Sequence, residues 1–163
     1  MLRDATDDDL DAMRRWRNHD EVRRVSLTQH EIGADEHALW WERIKQDPTR
    51  RVLIYERDGV PSGVVTFFDI DGDKAWWGYY LDNDGLTERG AMFPAWISIQ
   101  REAVKFARKE MGLAQLDGET LVANESAVDF NTRQGFTEVE RYAREVGGET
   151  IEVIHSRKIF EGK

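Results

Sequence analysis

The spacing of apolar and polar residues changes period several times along this chain, and each change predicts an element. Residues 2–5, LRDA, read as a short strand. Asp7, Asp8 and Asp9 then supply capping and first-turn acids for a helix over 8–18. A second helix is expected over 35–46, DEHALWWERIKQ, stopping before Pro48. Three strands follow, at 51–57, 60–70 and 74–81. They are joined at Asp58-Gly59 and Gly72-Asp73, dipeptides that suit tight hairpins.

The polar, glycine-punctuated stretch 82–90, DNDGLTERG, reads as a loop. The longest helix is expected over 91–111. Met92, Trp96, Ile99, Ala103 and Phe106 make one apolar stripe along it. Pro94 fits only its first turn, and Gly112 ends it. A strand at 114–122, a helix at 124–134, and a hairpin of 136–146 and 149–160 turning at Gly147-Gly148 complete the chain. The two strands flanking the long helix need a crossover, so they should be parallel, whereas the central meander is antiparallel. The expected fold class is α+β: one domain over 1–163, with a mixed, mostly antiparallel sheet.

Composition narrows the function. Hydrophobic residues are 40% and charged residues 34% of 163 residues, a globular profile with no apolar run long enough for a bilayer. The acidic start MLRDATDDDL is not expected to be a targeting signal. The net charge of -9 argues against nucleic-acid binding, which needs a basic face. An anionic ligand would have to be held by helix N-termini, amides and a few arginines. The absence of cysteine excludes disulfides and a thiol nucleophile, and fits a cytoplasmic protein. The four histidines lack paired spacing, so no metal site is expected. Trp40-Trp41 and Trp76-Trp77 cannot both turn inward from one face, so some tryptophan should line a cleft.

NESAVDFNTRQGF, residues 124–136, carries the most specific signal. Asn124 leads a short helix, Asn131 lies two turns along the same face, and Gly135-Phe136 stops it. With the strand–loop–helix before it, this resembles the GCN5-related N-acetyltransferases (GNAT). The resemblance rests on Asn124, Ala127, Val128, Phe130, Gly135 and Phe136. A narrower likeness joins WRNHDEVRR (16–24), HEIGADEHALWW (30–41), FFDID (67–71), WGYYL (77–81) and GETLVAN (118–124). These are similar to acetyltransferases that modify nucleotide-linked deoxyamino sugars.

The GNAT resemblance implies a sheet whose parallel pair splays apart, with helices on both faces and acetyl-CoA in the gap. It implies cofactor contacts at Tyr80, Leu81, Arg89, Gly90, Ala91, Met92, Asn124, Asn131 and Arg133. Acceptor contacts would come from His30, Glu31, His37, Trp40, Trp41, Asp69 and Trp77. Glu119 is the first candidate for the general base, with Asp69, His30 and His37 as further options.

Several residues keep two readings. Asn124 is a cap, a pantetheine contact, or both. Arg133 reaches a 3′-phosphate or is a surface charge. Arg17 and Asn18 tie the first helix down or bind substrate. Asn131 stands where the family commonly has the Tyr that protonates the departing thiolate; an amide has no useful proton to give, so Asn131 is a catalytic candidate that hydrogen-bonds the thioester or thiol, or it has no catalytic role. The phosphate loop also departs from the usual pattern, with ERGAM (88–92) in place of closely spaced glycines.

The expected acceptor is a small amine, and a homodimer is one possible assembly. The alternatives are a ribosomal-protein-type N-terminal acetyltransferase and a weakly active CoA-binding sensor.

Overall fold

The computed structural model describes residues 1–160. Seven strands form one sheet in the order β1-β2-β3-β4-β5-β7-β6. They are β1 Leu2–Asp4, β2 Arg51–Arg57, β3 Val60–Asp71, β4 Lys74–Leu81, β5 Gln115–Leu121, β6 Thr137–Val146 and β7 Glu149–Ile159. The helices are α1 Leu10–Arg17, α2 Asp20–Arg24, α3 Ala34–Ile44, α4 Asn83–Glu88, α5 Met92–Lys109 and α6 Glu125–Arg133. All strand neighbours are antiparallel except β4 and β5. The mixed α+β architecture expected from the sequence is therefore the one found.

The hairpin dipeptides act as predicted. Asp58 and Gly59 both have positive φ, 53° and 76°, the backbone that a two-residue turn between twisted strands requires. Two short helices were not expected. His19 caps α2 by accepting from the Glu21 amide at 3.1 Å. The predicted loop 82–90 contains α4, capped by Asp82, whose carboxylate accepts from the Gly85 amide at 3.0 Å. Each is too short to show a helical period, so the local caps decide it.

Apolar side chains pack on both faces of the sheet. On one, α5 lies over Leu53, Val65, Phe67, Ala75 and Trp77. Its buried line is Ala95, Ile99, Ala103 and Ala107, four residues apart, with Met92, Trp96 and Phe106 on the flanks. The predicted stripe is thus rotated. Alanines let the helix approach the strands, and the larger side chains spread to either side. On the other face, Met13, Trp16, Trp41 and Ile44 of α1 and α3 cover Val52, Ile54 and Val64.

The feature that creates the site is the parallel pair. β4 and β5 are in register only from Lys74↔Gln115 to Trp77↔Gly118. At the last rung a Cβ on Gly118 would lie 3.0 Å from Trp77 Nε1, so glycine permits the close approach. Beyond it β4 stays paired to β3 and β5 to β7, and a cleft opens between Gly78–Leu81 and Glu119–Leu121.

Candidate active site

The cleft has a volume of about 540 Å³. Its floor is β4 and β5 with Trp77, Gly78, Tyr79, Tyr80, Glu119 and Thr120. Met92 and Trp96 of α5, with Asn124, Ala127 and Asn131 at α6, form one wall. The opposite wall is Arg17, α2 and the segment from Val25 to Thr28. A Cβ on Gly78 would meet nothing within 4 Å, so the floor there is open to a ligand.

Glu119 sits at the centre of a charged group that sequence reading missed. Tyr142 of β6 donates its hydroxyl to Glu119 Oε2, and Arg144 Nη1 lies 3.1 Å from both carboxylate oxygens. Burial pushes the Tyr142 phenol up, and its bond to Glu119 and that residue's charge push it further. Tyr142 therefore stays protonated as a donor to the Glu119 carboxylate.

Asn131 donates from Nδ2 to Thr120 Oγ1 at 3.1 Å. The amide thus ties α6 to β5. It also fixes the role of Thr120, whose oxygen accepts from Asn131 and whose own proton is left to donate. Asn124 is the N-cap residue of α6, but its side chain makes no cap bond. It lines the cleft instead, and of the two readings kept for it, capping through the side chain is removed.

Arg17 is half-buried on the opposite wall. Its Nη2 donates to the Thr28 carbonyl at 2.8 Å, and its Nη1 is buried without a partner among the described residues. Burial pushes its pKa below the ordinary arginine value, opposed by the Tyr80 hydroxyl nearby. Asn18, by contrast, is structural: it exchanges two bonds with the backbone of Ile32, at 2.8 and 2.6 Å. Tyr79 and Tyr80 are pushed up by burial and stay neutral.

Seven predicted residues meet in the cleft: Glu119, Asn131, Trp77, Tyr80, Leu81, Met92 and Asn124. The others do not line it. His30 is exposed and pairs with Glu36 at 2.8 Å, and Glu31 is exposed. His37 is buried against Trp40, ring centroids 5.0 Å apart. Trp41 is buried and donates to Asp7 at 2.7 Å. Both side chains hold α3 in place. Asp69 is exposed at a bulge in β3, with φ 49°. Arg133 is exposed on the last turn of α6. The tryptophans on the cleft are Trp77 and Trp96.

At the phosphate loop the amides of Arg89, Gly90 and Ala91 are already bonded to Gly85, Thr87 and Leu86 carbonyls, at 3.1, 3.0 and 2.8 Å. The Arg89 guanidinium donates to Ser62 at 2.9 Å. α4 consumes these donors. The backbone bonds of this turn use neither the Met92 nor the Phe93 amide, the first two of α5. An anion at this end of the cleft has those two donors at a helix N-terminus.

The chain belongs to the GNAT acetyltransferases: residues 1–137 match the family model described as Acetyltransferase (GNAT) domain. Among solved structures it is similar to a ribosomal-protein-alanine N-acetyltransferase from Brucella melitensis, with 18% identity, TM-score 0.75, and 98% and 99% of the two chains covered. It is also similar to a spermidine N-acetyltransferase from Vibrio cholerae in complex with CoA and spermine, with 16% identity, TM-score 0.79, and 98% and 94% covered. An N-acetyltransferase from Staphylococcus aureus Mu50 matches with 17% identity, TM-score 0.73, and 98% and 97% covered. No curated protein matches the sequence. The chain is therefore an N-acetyltransferase, and its cosubstrate is acetyl-CoA. The cleft fits that molecule: the open floor at Gly78, the Asn124 side chain that makes no cap bond, and Met92 with its uncommitted amide all line it. No helix among the described residues is long and apolar enough to cross a membrane.

Proposed function

We propose that this enzyme transfers acetyl directly to the amine of a small acceptor that also carries negative charge, a nucleotide-linked deoxyamino sugar. The observation that carries this reading is Arg17, a fixed, half-buried cation on the cleft wall with Nη1 unpartnered among the described residues. A buried donor without an acceptor is costly, and an anionic oxygen of the acceptor satisfies it. Arg24 on the same wall is paired with Glu21 at 2.8 Å, which leaves Arg17 as the cation facing the cleft. A polycation such as spermine meets repulsion there. The order and spacing of the sugar-acetyltransferase-like motifs support the same reading.

Acetyl-CoA supplies an activated acetyl thioester to this cleft. The chain's own residues do the rest. Glu119 attracts the acceptor ammonium and takes the proton that the amine must lose before it can attack. Asn131 holds Thr120 so that its hydroxyl donates towards the end of the cleft where negative charge collects on sulfur. In the transfer an N–C bond forms and the C–S bond breaks; of the two protons the ammonium loses, one goes through Glu119 or water to the thiolate and the other to solvent. There is no cysteine, so no acyl-cysteine step intervenes.

The test is a panel of nucleotide-linked 3- and 4-amino sugars with acetyl-CoA, read as free thiol. Turnover is expected for a member of the panel, and slower turnover for the same sugar without its nucleotide. Silence across the panel, with acetylation of a peptide N-terminus instead, moves the enzyme to the ribosomal-protein type. Tight acetyl-CoA binding with no turnover of any acceptor moves it to a sensor.

A further inference from the structure

We infer that His155 is a positioning residue for Glu119: its imidazolium holds that side chain as a carboxylate on the cleft, an inference that rests on Glu119 serving as the base. His155 stands opposite Glu119 across the β5–β7 pair and opposite Glu140 across the β6–β7 pair. Residues directly opposite in antiparallel strands share a face, with Cβ atoms about 5 Å apart. The three side chains therefore form one row across three strands, with His155 in the middle. Glu119 at one end lines the cleft, and Glu140 at the other is exposed.

His155 itself is only 7% exposed. Its ring stacks on Trp76 of β4 with centroids 4.5 Å apart. β5 runs between β4 and β7, so their backbones are two strand spacings apart, about 9.5 Å. The two rings thus lean together over β5, beside Glu119. Nε2 lies 3.3 Å from Asp117 Oδ2 yet makes no hydrogen bond among the described residues, and Nδ1 lies 3.8 Å from Glu140 Oε1. A neutral ring leaves a buried nitrogen unsatisfied there, whereas a charged ring is attracted by both carboxylates.

The surrounding charges favour the same state. Asp117, Glu119 and Glu140 are three carboxylates on this face. Arg157 donates to Asp117 at 3.0 and 3.3 Å, and Arg144 lies 3.1 Å from Glu119. Tyr142 is a neutral donor to Glu119. Two guanidiniums against three carboxylates leave one negative charge unmatched, and the imidazolium matches it. A positive charge one place along the row favours the anionic form of Glu119. That form attracts the acceptor ammonium and takes its proton. His155 does this from behind, because it does not line the cleft.

Nuclear magnetic resonance of the His155 ring, identified by its proximity to Trp76, tests this with no substrate present. The C2 proton is titrated in the wild type and in Glu119→Gln. Its midpoint is expected to fall by about one pH unit in Glu119→Gln, because the ring loses one of its carboxylates. The same midpoint in both proteins, or a ring that stays neutral down to about pH 5, overturns the inference. Kinetics with an amino sugar that turns over give a second reading. His155→Phe keeps the stack on Trp76 and removes the charge. The acid side of its kcat/KM profile is expected to move up by about one pH unit, and in a Glu119→Gln background the same change should have no further effect. An equal loss in both backgrounds marks a purely structural role and overturns the inference. Turnover at the wild-type rate in Glu119→Gln defeats the base assignment instead, which separates the two failures.

Discussion

Tyr142 on β6 donates to Glu119 on β5, although β7 runs between their strands. The pair, with Arg144, fixes a carboxylate on the cleft. Glu119→Gln keeps the contact with Tyr142 and removes the base. It is expected to lower kcat/KM by about 10²–10⁴ at neutral pH, the usual contribution of a general base. Raising the pH should recover part of the rate, because more of the amine is then already neutral. A pH–rate profile parallel to that of the wild type would sink the role assigned to Glu119.

The Asn131–Thr120 bond gives a second expectation. Thr120→Val keeps the shape and deletes the hydroxyl. It should lower kcat roughly ten- to a hundredfold, the worth of a hydrogen bond to a charged atom, with KM for acetyl-CoA little changed. Thr120→Ser should restore most of the rate. If Thr120→Val raises KM and leaves kcat alone, the hydroxyl serves binding and not departure of the thiolate.

Arg17 should govern the acceptor and not the donor. Arg17→Met keeps the apolar stem and is expected to raise the acceptor KM by roughly ten- to a hundredfold. The KM for acetyl-CoA should stay as it was. An effect confined to acetyl-CoA would place the cationic wall on the donor and contradict an anionic acceptor.

His37 makes stability depend on pH. Burial, and then the charge of Arg14, hold it below its ordinary 6.5, while Glu36 and Asp11 pull the other way. The unfolded chain therefore takes up a proton near 6.5 that the folded one refuses. The contribution is complete above 6.5 and is lost as pH falls from there, by at most about 1.4 kcal/mol per pH unit. Denaturant unfolding of wild type and His37→Phe between about pH 7.5 and about 5 should show a steeper loss in the wild type. Parallel curves would mean that His37 is protonated in the fold.

Much of the fold was legible because its signals are local. Asp58-Gly59 announced a hairpin by composition, and Gly135, with φ 91°, ended α6 as a glycine stop should. The parallel pair followed from the crossover rule, because a long helix separates its two strands. What stayed hidden depends on register across the sheet. Tyr142 and Arg144 lie 23 and 25 residues from Glu119, and nothing in their spacing says that they meet. The cleft wall facing α5 and α6 stayed hidden for a different reason. Trp40, Trp41 and His37 look like ligand contacts by residue type, but their helix spends Trp41 on Asp7 and buries His37. The wall is built from Arg17, α2 and the loop to Thr28, a stretch with no periodicity to read.

The parting of β4 and β5 has a mechanical consequence. Gly78 to Leu81 form a strand margin that β5 leaves unpaired, so the sheet is missing rungs in its middle, where most sheets are strongest. A donor arm containing amide groups can bridge that margin as a short piece of foreign strand. The two halves, β1 to β4 and β5 to β7, are then joined along more of their length. Loading the enzyme with acetyl-CoA should therefore act as a splice, stiffening one half against the other before any acceptor arrives.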